Sequence, residues 1–369
     1  MPDDARAIAV LCTLLLLLGL TSSVHPAAGV SGARDDTRAV DLLRRAVRAE
    51  AQLGYEGVQR LSFFNGQRTQ STTVEVAHQP GYGTVLDRPE SGGGAGGLVV
   101  DAELPPGEAV DSAQPPLDLD DTLLTLLRGN YTIAAAGDAV VCGRDAGMVE
   151  ARRSDGSAAG RFWIDDATGL LLRRETLDNE GRVAQSSVFV AIEMVERAGD
   201  ESESAAAGPP SRMFAGSRRT EPWGDRLGAA DRRRLDAAGW RLPERLAGRF
   251  SLVEARSRGA GAARAVHLTY SDGLSMLSVF VQPGRLRPTG TGSVAGLRAV
   301  AEDGATVYVG DAGQHRRMWG AGGFVYTVMA DAPAESVEAA SGSLPAPDGT
   351  GFWARIGRGF DRLGSWVGL

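Results

Sequence analysis

The spacing of hydrophobic residues changes several times along the chain, and each change marks an element. Over 35–53, Val40, Leu43, Val47 and Ala51 recur at helical spacing with Arg and Glu between them, which predicts an amphipathic helix. The pattern then alternates. Residues 55–64 and 68–78 read as strands flanking Asn65-Gly66, a type I′ hairpin signal. Residues 120–128 (DDTLLTLLR) predict a short helix, with Asp120 or Asp121 as N-cap and Gly129 as its stop. From 131 to 194 the chain reads as strand again. Segments 161–165, 170–177 and 183–195 are joined by turns at 166–169 and 178–181, which makes an antiparallel meander. Phe162 and Trp163 alternate across a strand, so at least one ring belongs to the core.

The glycine-rich run 92–97 and the proline-rich stretch 105–116 read as loops interrupting this sheet. Beyond it, 197–222 lacks periodicity and is rich in Ala, Ser, Gly and Pro, as a linker is. A second unit carries strands at 250–256, 265–270, 274–282, 306–311 and 324–329. A helix at 333–340, with Asp331 as its N-cap, closes it. The organisation expected is therefore α+β, a first sheet domain over 34–196, a linker over 197–239 and a smaller α+β domain over 240–344. Residues 345–369 form a linker and a last helix, in which Phe352, Trp353, Ile356, Phe360 and Leu363 share an apolar face opposite Arg355, Arg358 and Arg362, with Trp366 at its edge. Those six apolar residues are the candidate contacts to a membrane surface or a partner, the alternative being packing on the chain's own domain.

At the other end, the apolar run 7–20 is short for a membrane span and sits where a secretory signal sits, so 1–33 reads as a signal peptide, with an uncleaved anchor as the alternative. Removing it leaves Cys142 as the one cysteine, in a strand-like run. No intramolecular disulfide can then form, and Cys142 reads as a small apolar residue.

Composition narrows function by exclusion. A net charge of −7 with 6% aromatic residues suits neither a basic nucleic-acid footprint nor a base-stacking platform. The histidines show no metal-ligand spacing, and His78 and His267 read as hydrogen-bonded strand residues. Gly92, Gly94 and Gly97 satisfy G-x-G-x-x-G, but a strand-like segment follows them where a dinucleotide site needs a helix. Asp165-Asp166 and Glu302-Asp303 suit turns better than acid–base pairs, because adjacent strand residues point to opposite faces. No nucleophile elbow, phosphate loop or zinc-protease motif occurs, and the chain reads as a binding protein without cofactor or metal.

Three blocks carry a family likeness. They are Tyr55-Glu-Gly57 after the first helix, RFWIDDATGLLL at 161–172 with the turn LDNEG at 177–181, and YSDGLSMLSVF at 270–280. Together they resemble the MucB/RseB family, over roughly 40–343. The resemblance implies an open, curved antiparallel sheet like the half-barrels of lipoprotein carriers, with a smaller domain beside it. It further implies a protein that binds the extracytoplasmic part of a membrane-anchored anti-sigma factor, shields it from proteolysis, and releases it on a lipid-type signal. A lipid or lipoprotein carrier of the envelope is the alternative. The stretch 91–116 departs from the family pattern, and no catalytic residue is carried over.

Overall fold

Helix α1 (Thr37–Gln52) starts where Asp36 accepts a hydrogen bond from the Arg38 amide, and it buries Ala39, Val40, Leu42, Leu43, Ala46 and Ala49. In this computed structural model the described residues are 35–64, 66–80, 83–87, 120–195, 224–286, 293–294, 297–310 and 315–349. Strands β1 (Gly54–Phe64), β2 (Thr69–Gln79) and β3 (Gly83–Asp87) follow α1. Helix α2 (Asp121–Asn130) is capped by the Asp120 carboxylate, which accepts from the Leu123 amide. Then come β4 (Thr132–Val141), β5 (Arg144–Arg152), β6 (Ala158–Asp165), β7 (Leu171–Leu177) and β8 (Val183–Val195). All pair antiparallel in the order β3-β2-β1-β8-β7-β6-β5-β4, an open sheet whose edges do not meet.

Both faces of this sheet carry buried apolar clusters. Pairing of Val149 with Phe162 and of Met148 with Trp163 sends the two aromatic rings to opposite sides. Phe162 joins the apolar cluster under α1 and α2. Trp163 packs with Tyr55, Val76, Leu170, Leu172 and Phe189, and the Arg173 guanidinium lies over its ring at 4.5 Å. Each fully buried Leu or Phe in such a cluster contributes about 1.5–3 kcal/mol. Gly147 admits α1, since a Cβ there would stand 3.0 Å from Leu42 Cδ1.

The second sheet is built from β9 (Asp225–Arg226), β10 (Arg245–Leu246), β11 (Phe250–Arg258), β12 (Ala265–Ser271), β13 (Met276–Pro283), β14 (Ser293–Val294), β15 (Leu297–Glu302), β16 (Ala305–Gly310), β17 (His315–Ala321) and β18 (Phe324–Asp331). Its order is β10-β11-β12-β13-β18-β17-β16-β15-β14, with β9 on the other half of β11. One face holds Tyr270, Val279, Trp319 and Tyr326, covered by Leu235 of α3 (Ala229–Ala237) and by Val337 and Ala340 of α4 (Ala334–Ser341). Both sheets belong to one compact unit.

Several expectations need correction. Helix α3 and strand β9 lie inside the stretch read as a linker over 197–239. The helix went unseen because only Leu235 of its nine residues is buried, which leaves no apolar stripe. Gly129 does not stop α2, which continues to Asn130, where the Tyr131 amide bonds the Leu127 carbonyl. Asp331 does not cap α4; Pro333 occupies that position without a side-chain bond. Cys142 is half-buried in the turn after β4, at φ 52°. Phe64 pairs with Thr69, so residues 65–68 make a longer connection than a two-residue type I′ turn. Leu274 lies ahead of β13 instead of within it. The signal segment, the 92–97 and 105–116 loops and the tail helix lie outside the described residues.

Candidate functional site: the junction between the sheets

The turn between β12 and β13 enters the first sheet's core. Ser271 and Asp272 are fully buried and Leu274 is 2% exposed. Leu274 packs with Val40, Leu43, Leu127 and Phe162, all from the first sheet and its helices. The turn shapes itself first. Asp272 Oδ1 accepts the amides of Leu274 (2.9 Å) and Ser275 (2.7 Å), and Ser271 Oγ accepts the Gly273 amide at 2.9 Å. The other carboxylate oxygen faces the first sheet, where the Tyr131 hydroxyl donates to it at 2.6 Å. Asn130, at the end of α2, donates to the carbonyls of Asp272 and Arg249. Burial, with the Asp272 charge beside it, pushes the Tyr131 phenol above its ordinary pKa, so it remains a donor through the physiological range.

A second group of polar contacts flanks the plug. Arg174 of β7 donates to the Leu274 carbonyl, and its buried Nε has no hydrogen-bond partner. Desolvation lowers the Arg174 pKa, opposed by the charges of Asp331 and Asp272. Asp331 has the complementary problem. Burial raises its pKa more than Arg174, Gln185 and His315 lower it. The Phe63 and His315 rings meet at 4.9 Å. At the rim, Arg249 donates to Ser336 Oγ, and the Asn179 amide donates to Glu335.

A carboxyl whose folded pKa is raised binds its proton more tightly in the folded state. Asp331 therefore adds stability as pH falls from above its folded pKa toward its unfolded value. Asp165, Glu150 and Asp178, held low by arginine and backbone donors despite burial, act oppositely and lose stability as pH falls through their folded values. Asp331→Asn, which mimics the neutral acid, is expected to be at least as stable as the parent at neutral pH. Its advantage should shrink on acidification. Urea midpoints measured against pH check this, and a variant less stable than the parent at neutral pH and no closer to it in acid contradicts it.

The other residues singled out by sequence settle into structural roles. His78 Nδ1 bonds Thr84 and Nε2 the Glu50 carbonyl, both at 2.8 Å, with its ring stacked on Tyr55. His267 bonds Ser278 and stacks on Phe280 at 4.3 Å, and burial pushes its pKa down to about 4. Asp165 is fixed by two Arg144 bonds of 2.9 and 2.8 Å and by Thr168, while Asp166 is exposed in the turn. Asp303 and Gly304 form a tight turn at positive φ. Among the described residues no group of three or more His, Cys, Asp or Glu could hold a metal, and no helix is long and apolar enough to cross a membrane. Phe352, Trp353, Ile356, Phe360, Leu363 and Trp366 lie outside the described residues, so the structure brings none of them to a site. What sequence reading missed is the junction itself. Tyr131, Gly160, Arg174, Asp272, Leu274 and Asp331 come from five separate segments and share no spacing signal.

The fold thus defines a class, an antiparallel α+β scaffold of two open sheets interlocked through a buried turn. Residues 112–207 match the model of the MucB/RseB N-terminal domain. The match covers about a quarter of the chain, and the block at 161–172 lies inside it. Among solved structures, the complex of Pseudomonas aeruginosa MucA/MucB is similar at 16% identity and TM-score 0.44, covering 84% of this chain and 99% of that one. MucB in complex with MucA(peri) is similar at 17% identity and TM-score 0.42, covering 83% and 98%. A putative outer membrane lipoprotein-sorting protein domain from Vibrio parahaemolyticus is similar at 12% identity and TM-score 0.21, covering 44% and 94%. No curated protein matches the chain.

Proposed function

We propose that this chain is an extracytoplasmic, non-enzymatic regulator that binds an anti-sigma factor and protects it from proteolysis. The observation that carries this reading is the match of residues 112–207 to the model of the MucB/RseB N-terminal domain. The interlocked sheets support it: a scaffold whose two parts are held in one orientation offers a preorganised surface, which lowers the ordering cost of binding a protein. In this reading 1–33 directs export, the sheets correspond to a half-barrel domain and a smaller C-terminal domain, and the apolar face of 351–369 contacts the membrane surface or the partner.

The test uses residues 34–369, immobilised and exposed to detergent-solubilised envelope. A single-span anti-sigma factor should be enriched, and its extracytoplasmic part should be cut more slowly by the site-1 protease when the chain is present. Absence of such a protein across varied salt and detergent, or unchanged cleavage of it, overturns the reading. Gentle purification followed by native mass spectrometry decides the lipid-carrier alternative, which requires co-purifying acyl chains.

A further inference from the structure

We propose that the cleft beside α3 binds an extended protein segment in which acidic residues flank an apolar anchor. The cleft has a volume of about 940 Å³ and lies between α3, the 241–244 segment, the β17–β18 turn and the 343–345 segment. Its floor belongs to the packed core. Leu242, Leu344 and Tyr326 all join the second sheet's cluster, and the half-buried Phe324 lies 5.0 Å from Trp240. The walls are tied down, with Trp319 Nε1 donating to the Pro345 carbonyl at 2.9 Å and the Asp348 amide to the Gly320 carbonyl at 2.8 Å. Such a cleft exists before any ligand arrives, which is the property that makes a groove useful.

The rim supplies the chemistry. The cleft lining holds three arginines (232, 233, 241) against two acids (236, 244), a local charge of +1 in a chain of net charge −7. Arg232 is committed to Glu244 at 2.7 Å and to the Leu227 carbonyl. Arg241 is 67% exposed and stands a loose 3.7 Å from Asp236. Arg233 is exposed, with no ion pair to any described residue. Two guanidinium groups are therefore available beside the half-buried Phe324 ring. Guanidinium matches carboxylate in a planar two-bond geometry, and the Phe324 ring is the apolar surface that an anchor side chain can meet. The concavity favours an extended segment over a flat lipid surface, because the cations flank the floor instead of lying in one plane.

This inference deepens the proposed function, since the segment would belong to the protein partner, and it rests on that reading. The probes are two fluorescent peptides, one with Asp and Glu around a central Leu, the other its Asn and Gln counterpart. The full chain should prefer the acidic peptide by about tenfold or more. That preference should fade as salt rises from about 0.05 to about 0.5 M. Arg233→Glu with Arg241→Glu should abolish it while leaving the melting temperature unchanged, since both side chains are exposed. Equal binding of the two peptides, no binding, or an unaltered preference in the double variant overturns the inference. So does a double variant that loses only binding to phosphatidylglycerol vesicles. If the double variant still captures the anti-sigma factor at full affinity, the cleft assignment fails while the proposed function stands. If the parent captures no anti-sigma factor yet keeps the peptide preference, the proposed function fails alone.

Discussion

Replacing Gly273 by Ala is expected to unlock the two sheets and to cost more stability than a methyl group added at any other described glycine. Gly273 sits at φ +89°, which already disfavours an L side chain by about 1–2 kcal/mol. The decisive term is steric. A Cβ there would stand 2.1 Å from the Leu127 nitrogen, 2.5 Å from Leu127 Cα and 2.6 Å from the Leu123 carbonyl oxygen. These are backbone atoms of α2, so no rotamer relieves the clash. The turn must withdraw, and withdrawal takes Leu274 out of its cluster and Asp272 away from Tyr131. A loss above about 4 kcal/mol follows, in the range reserved for broken cores and buried networks. Calorimetry should show a large drop in melting temperature, and a limiting protease should cut near 271–275. Gly181→Ala is the control, since Gly181 has φ +77° with open space around it. Equal melting temperatures for the two variants would refute the interlock.

The meander was legible because alternation and turn glycines repeat locally. Strand β8 runs over Val183–Val195, as its pattern predicts, and Asp120 caps α2 through a bond to Leu123 three residues on. Local chemistry was enough there. It was not enough for β17, where Arg316 and Arg317 stand side by side and break the alternation. Nor could it locate the junction. Ser271-Asp272-Gly273 has the composition of any exposed turn, and what makes it a buried plug is a tyrosine hydroxyl 141 residues away in sequence. The YSDGL block that carries the family resemblance therefore contains the lock between the sheets, a role that spacing alone does not reveal. The helical pattern over 351–369 lies outside the described residues.

Leu274→Ala should cost about 2–5 kcal/mol, the usual loss for a buried leucine whose cavity cannot fully collapse, given its 2% exposure. Gly160→Ala attacks the same contact from the opposite sheet. Its added Cβ would lie 2.4 Å from Leu274 Cδ1 and 3.0 Å from Cδ2, but 3.1 Å from the Glu175 carbonyl oxygen. The near obstacle is the movable end of a side chain, so the strain should be that of ordinary overpacking, about 1–3 kcal/mol. Removing that obstacle changes the sum. In the Leu274→Ala background the new methyl group enters the space that the leucine vacated, and only the Glu175 contact remains tight. The double variant should be less destabilised than the two single variants added together, by about 0.5–3 kcal/mol. Urea unfolding of the parent, both single variants and the double variant measures that difference. Strict additivity would mean that Gly160 and Leu274 do not share a folded contact. Non-additivity carries a further consequence, because Gly160 belongs to β6 and Leu274 to the turn before β13. The coupling energy between them is then lost in whichever transition separates the two sheets.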